Sequence, residues 1–246
     1  MLEGMYTAAA GMAAQQTRLD AVANDLANIS TTGYKHVRVA FRDLVYDDAQ
    51  GQGALKGVRL GSGAAATVMG RSVQQGALQS TGRSLDVAIS GPGFIQVKLP
   101  DGRTALTRDG DLAIDARGRL TLHTGQLIEP PVNIPIGTNP NKIAIQPDGT
   151  VQVDKTKIGQ IKLVDVPAPG ALDGGPDNTF LVNRASGGLR PAAAGTILQQ
   201  GTLESSEVDA AQAMTDMIEA QRAFQMASKA IQTQDQILEI ANQVKR

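Results

Sequence analysis

The chain has 246 residues, with 23 basic against 24 acidic side chains and no long run of either sign, so it carries no electrostatic footprint for nucleic acid or an anionic lipid surface. It has no Cys, which excludes disulfides and thiolate metal sites and suits a protein that crosses compartments unfolded. Four Phe, three Tyr and no Trp are thin for a single large core, so part of the stability is expected to come from neighbours.

A first helix is expected over residues 2–29. Leu2, Met5, Ala9, Met12, Gln16, Leu19, Ala23 and Leu26 fall at alternating spacings of three and four, a heptad stripe with one apolar seam. Gly33 follows Thr31 and Thr32 and is placed to take the left-handed conformation that closes a helix C-terminus. The first basic residue is Arg18, so no basic region precedes an apolar run, and no stretch of about 18 apolar residues could span a bilayer. Export, on this reading, uses a route that needs neither feature.

Residues 36–75 are Gly-rich and read as irregular, with Gly51, Gly53, Gly57, Gly61 and Gly63 among short apolar pieces such as 58–60. From Leu85 onward β-type runs at 87–89, 94–99, 105–107, 112–114 and 120–122 alternate with turns. The turn glycines Gly102, Gly110, Gly118 and Gly125 recur at spacings of eight, eight and seven, which predicts a meander of short antiparallel strands. Further β structure is expected at 142–153, turning at Asp148 and Gly149, and at 158–166. Pro167, Pro169, Gly170, Gly174, Gly175 and Pro176 then mark a loop.

A second helix is expected over 207–245, with the Ser206 hydroxyl as N-cap, Glu207 and Asp209 in the first turn and Lys245 and Arg246 at the far end, where the helix dipole favours each charge. Its stripe is Met217, Ala220, Phe224, Ala227, Ile231, Gln234, Leu238 and Ala241. At roughly 1.5 Å per residue it would be about 58 Å long, too long for a small β domain to cover. Alanines off both seams, such as Ala10, Ala13, Ala223 and Ala230, would let further helices approach closely. In an unshifted antiparallel register Met5 meets Leu238, Met12 meets Ile231, Leu19 meets Phe224 and Leu26 meets Met217. The expected fold is α+β: N- and C-terminal helices paired as an antiparallel coiled coil, with an inserted, mainly antiparallel β domain. The expected divisions are 1–35 (N-terminal helix), 36–80 (Gly-rich linking region), 81–200 (β-rich outer domain) and 201–246 (C-terminal helix).

Little in the chain points to catalysis. His36 and His123 lack any metal-ligand spacing, and neither a nucleophile elbow nor a P-loop occurs. Residues 61–66 fit a relaxed G-x-G-x-x-A, but that motif needs a following helix and a βαβ unit. Asp109, Asp111 and Asp115 lack the register of a Ca²⁺ loop and are better explained by hairpin turns. No catalytic residue, cofactor or metal ligand is assigned.

Four motifs in order resemble one family. Asn24-Asp25-Leu26-Ala27-Asn28-Ile29-Ser30-Thr31-Thr32-Gly33-Tyr34-Lys35 resembles the N-terminal signature of bacterial flagellar rod and hook proteins, with Asp25 where a second Asn is usual. The run Asp86-Val87-Ala88-Ile89-Ser90-Gly91-Pro92-Gly93-Phe94-Ile95-Gln96-Val97 and the turn Thr107-Arg108-Asp109-Gly110 are similar to internal elements of that family, with Ile95 in place of a second Phe. Leu203-Glu204-Ser205-Ser206, continued through Met217 to Phe224, is similar to its C-terminal signature, with Glu207 where Asn is common.

What the resemblance implies is a structural subunit of the flagellar axis. Paired terminal helices would form the inner tube, the β domain would lie outside, and export would run through the flagellar type III apparatus to a place beyond the inner membrane, in the periplasm or cell-wall zone. Implied partners are further copies of the chain in a helical polymer, other rod and hook subunits, the export apparatus and rings that bush the rod; nucleic acid and small-molecule substrates are not implied. Chain length and the Leu60-Gly61-Ser62-Gly63 and Gln75-Gly76-Ala77-Leu78 segments are more similar to distal-rod members than to proximal or hook-like ones. The assembly interface is expected at Leu2, Met5, Met12, Leu19, Asn24, Leu26, Asn28, Gly33, Met217, Phe224, Ile231 and Leu238. A secreted β-rich adhesin or binding module, and more remotely a nucleotide-dependent enzyme, are the alternative readings.

Overall fold

The computed structural model describes residues 2–44, 46–48, 59–61 and 63–244. Gly51, Gly53, Gly57, Val58, Ser62, Lys245 and Arg246, which figure in the expectations above, lie outside the described residues, as do the side chains of Leu2, Leu60 and Ala241. The chain divides into two compact units: residues 1–27, 37–69 and 209–246, and residues 28–36 with 70–208.

The first unit is a helix pair with a β ribbon. Helix α1 spans Leu2–Ala27 and helix α2 spans Ala210–Val244. They run antiparallel: Gly4 lies against the Gln234 side chain, and Arg18 Nη2 donates to Asp216 Oδ1 at 2.9 Å and Glu219 Oε2 at 3.3 Å. This register is displaced toward the start of α2 from the pairing that would set Met5 at Leu238. Helix α1 is also rotated about its axis from the expected orientation. Its most enclosed positions are Ala14 and Asp25, whereas the seam positions Ala9, Gln16 and Ala23 are exposed. The helix is thus turned so that small residues, not the Met and Leu stripe alone, meet the unit's interior, because a missing side chain permits closer backbone approach. On α2 the expected stripe faces inward: Ala220 is fully enclosed, and Met217, Phe224, Ala227, Ile231, Gln234 and Leu238 are half-buried.

The α2 cap also differs from expectation. Asp209 Oδ1 accepts the backbone N–H groups of Ala211 and Gln212 at 2.8 and 3.0 Å, the reach of an N-cap carboxylate to N2 and N3, while the Ser206 hydroxyl accepts from Val208 N outside the helix. A carboxylate is the stronger acceptor and also answers the helix dipole.

Strands β1 (Val37–Asp43) and β4 (Ala64–Arg71) pair with each other, and β2 (Tyr46–Asp48) pairs with β3 (Arg59–Gly61). Much of the stretch read as irregular is therefore extended. The missed signal is the period-two run Val37-Arg38-Val39-Ala40-Phe41-Arg42, overshadowed by the neighbouring glycines. Ala64, after the G-x-G of residues 61–63, opens a strand, not the helix a dinucleotide site requires. The buried Asp25 carboxylate accepts the Val37 N–H at 3.3 Å, an acceptor role that an Asn oxygen in its place would also fill.

The second unit is β. Its strands are β5 (Leu78–Ser80), β6 (Val87–Ser90), β7 (Phe94–Lys98), β8 (Thr104–Thr107), β9 (Leu112–Ile114), β10 (Leu120–Leu122), β11 (Leu127–Ile128), β12 (Ile143–Ile145), β13 (Thr150–Val153), β14 (Thr156–Gln160), β15 (Leu163–Asp165), β16 (Asp173–Gly174), β17 (Phe180–Leu181), β18 (Arg190–Pro191), β19 (Ile197–Gln200) and β20 (Thr202–Glu204). The largest sheet runs β16-β17-β8-β7-β11-β10-β9, every pair antiparallel. One edge of β7 is shared: Ile95 and Phe94 pair with β15, Val97 and Lys98 with β11. Hairpins turn at Gly102, Gly118 and Gly125 with positive φ, but Gly110 is not a hairpin turn; a Cβ there would sit 1.6 Å from the Val87 carbonyl oxygen, so β6 passes over it.

Burial on both faces of the sheet explains the weak alternation in the sequence. Ile95, Val97 and Ala105 join an aliphatic core with Val87, Ile89, Leu120 and Leu198, while Phe94 and Leu106 join a second cluster with Val166, Leu172 and Phe180. Two modest clusters, one almost wholly aliphatic, manage with few aromatics.

Candidate functional site: a buried ionic clasp

Residues 28–36 carry no regular secondary structure, yet many of their backbone groups are hydrogen-bonded, those of the buried stretch 33–35 among them. The Thr32 carbonyl accepts from Asn178 Nδ2 at 2.7 Å, Tyr34 O from Glu207 N at 3.2 Å, Lys35 O from Arg71 Nη1 at 3.2 Å and His36 O from Ser72 N at 3.0 Å. Gly33 N donates to Glu204 O at 2.8 Å. Gly33 is left-handed, at φ 63°, as expected, but it does not close α1, which ends six residues earlier; it lies on the Arg108–Asp109 backbone, where a Cβ would meet carbonyl atoms at 2.6 Å.

The segment is fixed by three charges with almost no exposure. The Glu204 carboxylate accepts from Lys35 Nζ at 2.6 Å, Arg108 Nη1 at 3.0 Å and Gly76 N at 2.9 Å. Arg108 Nη2 also donates to the Gly91 carbonyl at 2.7 Å, and its guanidinium lies 5.6 Å over the Phe94 ring. Lys35 Nζ additionally donates to the Gln74 carbonyl. Burial holds the Lys35 ammonium below its ordinary value of 10.5, while its hydrogen bond and attraction to Glu204 pull it back up. Beside them Glu207 accepts from the Ser72 hydroxyl and lies 3.4 Å from His36 Nδ1. Two cations on one fully desolvated carboxylate join three distant stretches of chain at one point.

Asp109 adds a pH-dependent contact. It accepts from the Thr32 hydroxyl at 2.5 Å and Asp111 N at 3.1 Å, but burial outweighs these bonds and raises its carboxyl above the ordinary 3.8. The folded state therefore holds this proton more tightly than the unfolded one, so this residue's contribution to stability grows as pH falls through its raised value toward 3.8. Asp109→Asn should remove that gain, so on passing from neutral to mildly acid pH the variant's urea midpoint should fall relative to the parent's. Asp111 and Asp115 point elsewhere, to Arg83 and to the backbone and side chain of Arg119, and no three acidic or His side chains gather among the described residues.

The residues assigned to an assembly interface fall in two places. Met5, Met12, Leu19, Leu26, Met217, Phe224, Ile231 and Leu238 lie half-buried on the helix pair, and Gly33 lies in the clasp. Asn24 is exposed on α1, but Asn28 follows the helix end, where its Oδ1 accepts from the Thr31 hydroxyl at 3.1 Å; the two do not share a helical face. Lys35, Arg108 and Glu204 were not singled out from the sequence. Each stands inside one of the quoted motifs, and oppositely charged residues amid turn and strand positions were the available signal.

The same stretches define a class. Residues 5–35 match the family described as flagella basal body rod protein, residues 88–153 the flagellar hook protein FlgE/F/G D1 domain, and residues 199–244 the flagellar basal body rod FlgEFG protein C-terminal. Each contributes one member of the clasp. The chain is 38% identical to the flagellar basal-body rod protein FlgG of Borreliella burgdorferi over 100% of both chains. It is 36% identical to FlgG of Caulobacter vibrioides over 99% of this chain and 100% of that one, and 35% identical to FlgG of Bacillus subtilis over 100% of each. The chain belongs to the FlgG family of flagellar basal-body rod proteins.

Proposed function

We propose that the protein is a structural subunit of the flagellar basal-body rod, of the distal kind, whose terminal helices pack copy against copy into a tubular shaft that transmits torque to the hook. The full-length relation to FlgG rod proteins supports this, and one observation carries the packing: α2 leaves Met214, Ile218, Met226, Ile237 and Ile240 exposed away from its inward stripe. Five large apolar side chains on one helix need cover, and further helices of like kind supply it. In this reading residues 1–35 and 201–246 form the inner helical layer as a coiled coil, residues 36–80 link it to an outer β domain at 81–200, and the half-buried seam residues complete their burial against neighbours. Stiffness follows from close packing, since interiors at crystal-like density resist shear. Other rod and hook subunits, the type III export apparatus and bushing rings are its partners, and the basal body beyond the inner membrane is its place. No helix among the described residues is long and apolar enough to cross a membrane.

Ile218→Glu combined with Met226→Glu tests the packing role. The variant should keep the parent's β-sheet circular dichroism yet fail to restore swimming to a strain lacking the parent gene. Full swimming would exclude this face from the shaft.

A further inference from the structure

We infer that the clasp sets the register in which α1 and α2 pair, acting as a gauge block at the point where the two chain ends leave the β unit. The observation is a coincidence of positions along the chain. Gly33 N donates to Glu204 O, which makes these residues opposite one another. Arg18 lies as many residues before Gly33 as Glu219 lies after Glu204, and Arg18 Nη2 bonds Glu219 Oε2 at 3.3 Å and, one turn nearer the start of α2, Asp216 Oδ1 at 2.9 Å. Gly4 and Gln234, in contact at the far end of α1, are almost equally distant from the same two residues. Equal path lengths from a fixed crossing produce this register without help from the seam.

The seam alone does not produce it. An antiparallel pairing chosen by the large apolar residues sets Met5 at Leu238 and Leu19 at Phe224, and heptad stripes tolerate slips of whole repeats because each repeat presents a similar face. Stripes in which small residues and Gln alternate with Met and Leu discriminate weakly between registers. The clasp discriminates strongly, since Gly33 is seated against the Arg108–Asp109 backbone where a Cβ would not fit, and Lys35 and Arg108 both bond the fully buried carboxylate of Glu204. A copy whose helices were slipped by a repeat would be useless to a regular polymer; a crossing fixed inside each copy prevents that before neighbours arrive.

The test uses the full chain, whose lack of Cys makes engineered thiols unambiguous. Gly4→Cys is combined with Gln234→Cys or with Ala241→Cys, and a seven-residue helical insert, one heptad that preserves the helix face, is placed just before Ala27, just after Ala210, or at both sites. Intramolecular disulfide yield after mild oxidation reads the register. Without an insert the bond should form at position 234. With the α1 insert it should move to 241 or be lost from 234, and with both inserts it should return to 234. A bond that stays at 234 with the α1 insert alone would show that the seam chooses the register, and failure of the double insert to restore it would equally overturn the inference. As an independent readout, Glu204→Gln without inserts should spread the bond over both positions, lowering the ratio of 234 to 241 several-fold; an unchanged ratio counts against the clasp.

Discussion

Gly33→Ala should destabilise the protein by about 3–5 kcal/mol, because two separate penalties meet at one atom. A left-handed backbone costs an L-residue roughly 1–2 kcal/mol, and φ at Gly33 is 63°. The added methyl would also lie 2.6 Å from the Arg108 carbonyl carbon and oxygen and 2.9 Å from Asp109 N, backbone atoms that cannot rotate away. Relief requires lifting residues 32–35 off the β unit, which would cost the Gly33–Glu204 hydrogen bond and strain the Lys35–Glu204 contact. A loss of that size is a large share of the roughly 5–15 kcal/mol that holds an ordinary protein folded. Gly82→Ala is the control. Gly82 is also left-handed, at φ 70°, but nothing lies within 4 Å of its Cβ position, so only the conformational penalty of about 1–2 kcal/mol applies. Urea unfolding followed by circular dichroism should separate the two; equal midpoints would mean that residues 32–35 are not held where the structure puts them.

Glu204→Gln should cost a similar amount, about 3–5 kcal/mol, for an electrostatic reason. Removing one partner of a buried ion pair leaves the other desolvated and uncompensated, and here two cations, Lys35 and Arg108, depend on the one carboxylate. Lys35→Met should be milder, below about 2 kcal/mol, because Glu204 keeps Arg108 and the Gly76 N–H. The ordering of the two variants tests whether Glu204 is the centre of the cluster. The pH dependence follows from Lys35. Its folded value is already depressed, so the folded state binds this proton less tightly than the unfolded one, and stability rises with pH through the window from that depressed value up to 10.5. Loss of Glu204 removes the attraction that raised the folded value and extends the window to lower pH. The deficit of Glu204→Gln should therefore be greatest near neutrality and narrow as the medium becomes alkaline. A deficit independent of pH would point to lost packing instead.

How much of this could be read from the residues depended on range. The two helices were visible because a stripe at spacings of three and four is a local property, and the ends of α1 and α2 fell within three residues of expectation. Strands 112–114 and 120–122 coincide with β9 and β10 because apolar runs framed by Gly118 and Gly125 leave few other conformations. Gly110 was misread as a turn for the opposite reason. A glycine demanded by a close-passing strand looks in sequence like one demanded by a tight turn, and only the position of Val87 distinguishes them. The Ser206 cap failed in a similar way, since Ser206 and Asp209 are both good caps and the helix starts where the carboxylate can reach two N–H groups.

By itself the sequence determined the class of protein, the helical termini and the antiparallel β body between them, since each rests on short-range periodicity or on contiguous motifs. Only the tertiary structure decided the helix register and the meeting of Lys35, Arg108 and Glu204. Those depend on hydrogen bonds between residues as many as 201 positions apart, and no local pattern records which buried charge will find which partner.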